Sequence, residues 1–149
     1  MKTPWHLWVV GTVTLLWNAG GAYDYVMVRT ANEAYLDQMA AQAGAEQAEL
    51  YAGYLADFPI WVSACWAFGV WGAVLGSILL LARSRYALPV FVVSFLGMLG
   101  NSVWGYFLSP TPMTQMMGTA AALFSLAIFV VAILLIAYSR SMTRQGVLR

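Results

Sequence analysis

Long apolar runs separated by short polar breaks dominate the chain. Four stretches, about Trp5 to Met27, Pro59 to Ala82, Tyr86 to Leu108 and Met113 to Tyr138, each hold the roughly 20 mainly apolar residues that a helix needs to cross a hydrocarbon core of ~30 Å. Only backbone that satisfies its own hydrogen bonds is tolerated there, so these runs read as helices. The pattern predicts an all-α membrane protein: one membrane domain over residues 1–149, a four-transmembrane-helix bundle with spans at 5–27, 59–82, 86–108 and 113–138 and a partly helical outer loop at 28–58. A cleaved signal peptide is the competing reading of the first span, with Ala19 to Ala22 as small residues for a peptidase. Trp8, Trp17 and Asn18 fit poorly in a signal core.

The one sizeable polar segment, between Arg29 and Phe58, is rich in Ala, Gln and Glu and favours helix. Thr30 and Glu33 have the spacing of a capping box, which predicts a helix start at Thr30. Gly44 predicts a break. Beyond it Leu50, Tyr51, Tyr54 and Phe58 recur at helical spacing, a stripe suited to the membrane surface or to the bundle. A lid over the outer mouth and a solvated connector are both consistent with that stripe.

Charge sets the direction of the spans. All six acidic residues, Asp24 to Asp57, fall between the end of the first span and the start of the second. Lys2, Arg83, Arg85, Arg140, Arg144 and Arg149 lie on the other side, and only Arg29 dissents. Because Lys and Arg flanking the spans favour the cytoplasm, the charge split predicts a multi-pass protein of a bacterial inner (plasma) membrane with N- and C-termini cytoplasmic. Trp5, Trp8, Tyr86 and Tyr138 then mark the inner headgroup level, and Tyr23, Tyr25, Phe58, Trp61, Tyr106 and Phe107 the outer one.

Polar and small residues inside the spans supply the candidate chemistry. Counting 1.5 Å per residue from the inner helix ends puts Asn18 and Asn101 at the same depth, about 20 Å in, so the two are expected to face each other. They form either an interhelical polar contact or part of a pocket, with Trp17 and Trp104 as aromatic walls and Asp24 near the outer end of the first span. Stripes of small residues, Gly69, Gly72 and Gly76 in the second span and Ser94, Gly97 and Gly100 in the third, predict a close helix interface. The fourth span has no charge between Met113 and Tyr138 and reads as lipid-facing; Met113, Met116 and Met117 at its start read as packing residues rather than copper ligands.

Composition removes several function classes. With 62% hydrophobic and 9% charged residues, against roughly 25% charged in soluble domains, the lipid bilayer is the main partner. A net charge of +1 offers no grip on nucleic acid. One cysteine, Cys65, and one histidine, His6, cannot form a disulfide, a CxxC motif or a conventional zinc or haem site within one chain, so no cofactor is expected. An enzyme acting on lipid or quinone would have only the scattered Asp24, Asp57, Cys65 and His6, so none is expected either.

The runs PWHLWVVG (Pro4 to Gly11), WNAGGAYDY (Trp17 to Tyr25), NEAY (Asn32 to Tyr35) and FGVWGAVLGS (Phe68 to Ser77) resemble a group of small proteobacterial inner-membrane proteins often labelled "sugar transporter". The resemblance covers the first three spans and implies a small solute transporter or transporter subunit, in which a homo-oligomer encloses the path. The alternative is an accessory subunit packing its glycine stripes against a larger membrane complex.

Overall fold

The computed structural model describes residues 3–110 and 113–149, and within them the side chains of all but 43, 45, 47 and 113–121. The described residues form six α-helices and no strand: α1 (Trp5–Arg29), α2 (Glu33–Ala43), α3 (Ala45–Ala56), α4 (Ile60–Leu81), α5 (Ala87–Val103) and α6 (Met113–Arg144). A π-helical turn, Trp104–Leu108, continues α5. Three helices among the described residues, Ile60–Leu81, Ala87–Leu108 and Ala122–Arg144, are long and apolar enough to cross a membrane, where the sequence predicted four. At 25 residues α1 has the length. Its His6, two threonines, Asn18, three glycines and Asp24 dilute its apolar character.

Packing runs from α1 to α4, from α4 to α5 and from α5 to α6. The α4–α5 interface is made by the small-residue stripes, as their spacing predicted. A Cβ on Gly97 would lie 2.5 Å from Cys65 O and 2.7 Å from Gly69 N, so the two backbones touch at this level. Ser94 Oγ donates to Gly69 O at 2.6 Å, a bond that only such an approach permits.

The densely packed core lies at the end of the bundle that carries the termini. Leu7, Leu80, Ala87, Phe91, Leu135, Met142 and Leu148 meet there, all nearly sealed from solvent. Residues 147–149 turn back onto the α4–α5 connection, where Arg85 N donates to Arg149 O and Arg149 N donates to Arg83 O. The same end holds a hydrogen bond of 2.6 Å between His6 Nδ1 and the Tyr138 hydroxyl. α6 runs six residues past the expected Tyr138, because its last turns carry Met142 into this core.

The helices do not start level. Gly11 of α1 packs on Leu81, the last residue of α4, so the six residues from Trp5 to Val10 overhang α4 by about 9 Å. At the other end Tyr25 meets Trp66 edge-on at 4.7 Å, so α1 ends short of the loop end of α4.

The space left at the loop end is taken by α2 and α3. α2 starts two residues later than the capping-box spacing predicted: Asn32 Oδ1 accepts from Tyr35 N at 3.0 Å, while the Thr30 hydroxyl turns back to Val26 O. Because α1 continues through Arg29, Thr30 belongs to its C-terminus and Asn32 is left as the cap. Gly44, at φ 94°, separates α2 from α3 as its sequence position indicated. The Tyr54 stripe lies against the bundle: Tyr54 is 2% exposed and meets Phe58 edge-on at 4.9 Å, and Phe58 meets Trp66 at 5.8 Å. On α6, Leu123, Leu126, Val130, Ile133 and Leu134 are exposed, as a lipid-facing helix requires.

Candidate functional site: a cavity inside the bundle

A cavity of about 420 Å³ opens between α1, α4, α5 and α6, within the size range of small-molecule sites. Phe91 and Leu135, both part of the packed core, close it toward the terminal end. Aromatic rings wall it: Trp17 and Phe124, 6.0 Å apart, come from the two helices farthest apart in the chain, and Trp66 and Phe95 face in from α4 and α5. Gly20, Gly21 and Gly69 lower the wall between the rings.

Four of the five residues singled out in the sequence, Trp17, Asn18, Asp24 and Asn101, line this one cavity. Trp104 does not; its ring sits edge-on to Trp61 at 6.1 Å, and its indole N–H is buried without a hydrogen-bond partner.

The expected meeting of Asn18 with Asn101 does not occur. Asn18 Nδ2 donates to Ser77 Oγ at 2.9 Å and to Ala73 O at 3.2 Å, and Ser77 Oγ donates to the same carbonyl at 2.9 Å. Ser77 is fully buried, so this triad is a dry interhelical tie between α1 and α4. The overhang of α1 explains the difference. Measured from the level of Leu81, Asn18 stands seven residues or about 10 Å up α1. Asn101 follows Gly100, which abuts Cys65, sixteen residues or about 24 Å up α4 from Leu81. The two asparagines therefore sit at different depths of one cavity. Asn101 Oδ1 is shut from solvent and has no hydrogen-bond partner.

The same displacement moves Asp24. Its neighbour Tyr25 is level with Trp66, six residues or about 9 Å inside the first residue of α4, so Asp24 lies within the bundle wall rather than at its rim. The Tyr35 hydroxyl of α2 donates to Asp24 Oδ1 at 2.5 Å. That bond, reinforced by burial, holds the Tyr35 phenol up at about 12, from an ordinary 10.0. Burial first, and then the same carboxylate, pushes the Tyr51 phenol of α3 up as well. Burial raises Tyr54 to about 12. The phenols of Tyr35 and Tyr51, on α2 and α3, thus gather around the one carboxylate of the cavity wall.

Ser77 had a readable signal, one helical turn beyond Ala73 on the small-residue face of α4. Tyr35, Trp66, Phe95 and Phe124 had none, since aromatic residues are abundant along the whole chain. The side chains of Met113, Met116 and Met117 lie outside the described residues. Comparison with family models, with curated proteins and with solved structures returned no match.

Proposed function

We propose that this chain is a four-span protein of a bacterial inner membrane, with both ends in the cytoplasm, that holds a small solute in the interhelical cavity as a small transporter or a subunit of one. The observation that carries the reading is an aromatic-walled cavity of small-molecule size inside the bundle, whose wall carries the Asp24 carboxylate and the side chain of Asn101. Asn18 and Ser94 have already spent their donors on α4. So few free polar groups favour a largely apolar solute over a polyhydroxylated one.

α1 as the fourth span is supported by its exposed stripe, Trp5, Val9, Val13, Leu16 and Tyr23 at helical spacing, which needs lipid or protein to cover it. Arg83, Arg85, Arg140, Arg144 and Arg149 at the terminal end support the orientation. A second reading, an accessory subunit of a larger membrane complex, is favoured by a shallow apolar groove between α4 and α5 lined by Phe68, Trp71, Leu75 and Val93, which would seat a partner helix.

Native mass spectrometry of the chain released from mild detergent separates the two. A monomer or homo-oligomer carrying a small molecule that is lost in Ala132→Trp, a variant that fills the cavity, supports the solute reading. A heterocomplex whose mass is the same with and without that substitution overturns it.

A further inference from the structure

We infer that the cavity selects a hydrophobic ammonium, an apolar body carrying one protonated amine, with Asp24 as its anchor. The inference rests on the cavity being a solute site and adds the chemical class of the solute.

Among the polar groups on the wall, the Asn18 amide N–H groups are held by Ser77 and Ala73, and the Ser94 hydroxyl is held by Gly69. Asp24 keeps its second carboxylate oxygen uncommitted, and the Asn101 side chain, which can donate as well as accept, forms no hydrogen bond among the described residues. The one charged group on the wall is Asp24. No Lys, Arg or His lines the cavity, and among the described residues Asp24 forms no ion pair. A carboxylate set into an apolar wall without a counter-charge favours a cation that brings one.

The rings supply the rest. Trp17, Trp66, Phe95 and Phe124 line the cavity with aromatic rings, whose faces attract an ammonium and whose surface buries an apolar body. An anion would face the carboxylate, and a neutral alcohol would satisfy the acceptors without answering the charge.

Calorimetric titration of the full chain in an uncharged detergent, with the heat of protein-free micelles subtracted, tests this with three probes of one skeleton: naphthylmethylammonium, naphthylmethanol and naphthoate. The ammonium should bind on the order of tenfold more tightly than the alcohol, the ratio expected of one partly shielded charge pair, and naphthoate should be the weakest. Asp24→Asn keeps an acceptor for the Tyr35 hydroxyl and should bring the ammonium down to the level of the alcohol. Ala132→Trp should abolish binding of both, since a signal that survived it would come from the protein surface. Equal binding of ammonium and alcohol, or an ammonium affinity unchanged in Asp24→Asn, overturns the ammonium inference and leaves the solute reading standing. Binding of none of the three by a helical, monodisperse chain overturns both.

Discussion

Asp24 of α1 and Tyr35 of α2 are joined by a hydrogen bond of 2.5 Å, so the first turn of α2 is fastened to the wall of the cavity. Tyr35 is eleven positions from Asp24 in sequence, and the chain reverses between them at Ala31, which adopts φ 48°.

This bond makes the loop sensitive to alkali. The Tyr35 phenol is raised from 10.0 to about 12, so its contribution is fully present below pH 10 and is lost as pH rises from 10 through about 12. Spectrophotometric titration of the phenolate band should show late-ionising tyrosines, and Tyr35→Phe should remove one phenol's worth of that late amplitude. The same substitution should increase protease cleavage within Glu33–Ala43 at neutral pH. Unchanged amplitude and cleavage would mean that the bond does not fasten α2 in solution.

Backbone contact between α4 and α5 predicts a sharp contrast among glycines. Gly97→Ala would press a methyl against Cys65 O and Gly69 N, neither of which can yield without moving a helix, at a cost of about 1–3 kcal/mol. Gly20→Ala meets nothing within 4 Å and should be neutral or stabilising, by up to about 1 kcal/mol, through its effect on helix propensity. Denaturation in mixed detergents would measure both. Equal tolerance would remove the close approach.

Asn18 should couple energetically to Ser77 and not to Asn101. A double-mutant cycle of Asn18→Leu with Ser77→Ala should return a coupling of about 0.6 kcal/mol, the usual size of an interhelical hydrogen bond. The cycle of Asn18→Leu with Asn101→Leu should return a value near zero. A larger coupling in the second cycle would place the asparagines side by side after all.

Reporter fusions address the direction of the spans. Fusions after Ser84 and Arg149 should behave as cytoplasmic and one at Gly44 as external, because six of seven basic residues flank the helices on one side. A cytoplasmic signal at Gly44 would reverse the orientation. A cytoplasmic signal at Ser84 together with an external Lys2 would take α1 out of the set of spans.

Length and periodicity made the long helices legible, since little but a helix satisfies twenty apolar residues in lipid. The α4–α5 contact was also legible, because Gly72, Gly97 and Gly100 leave only one face on which backbones can meet. Of the cavity wall, Trp17, Asn18, Asp24 and Asn101 followed from intramembrane polarity and its aromatic neighbours. What a linear count could not supply was axial stagger. The 9 Å overhang of α1 comes from the seating of Gly11 against Leu81, a tertiary contact with no local trace. It moved Asn18 to a new partner and carried Asp24 from the rim to the wall. The shift of the α2 cap from Thr30 to Asn32 has a similar origin, since α1 is prolonged through Arg29.

The uneven distribution of packing between the two ends has a mechanical consequence. With Leu7, Leu80, Leu135 and Leu148 locked together at the terminal end, the helices behave like the tines of a fork clamped at its handle. At the loop end α4 and α5 stay in backbone contact through Gly97, so it is α1 and α6 that stand across the cavity from each other with least between them. Under the proposed solute reading, a molecule would enter by parting α1 from α6 at the loop end. Discharging it through the handle would mean unlocking the best-packed part of the protein. On that reading a single copy would capture and retain, and net movement across the membrane would call on a second body to pry the clamp apart.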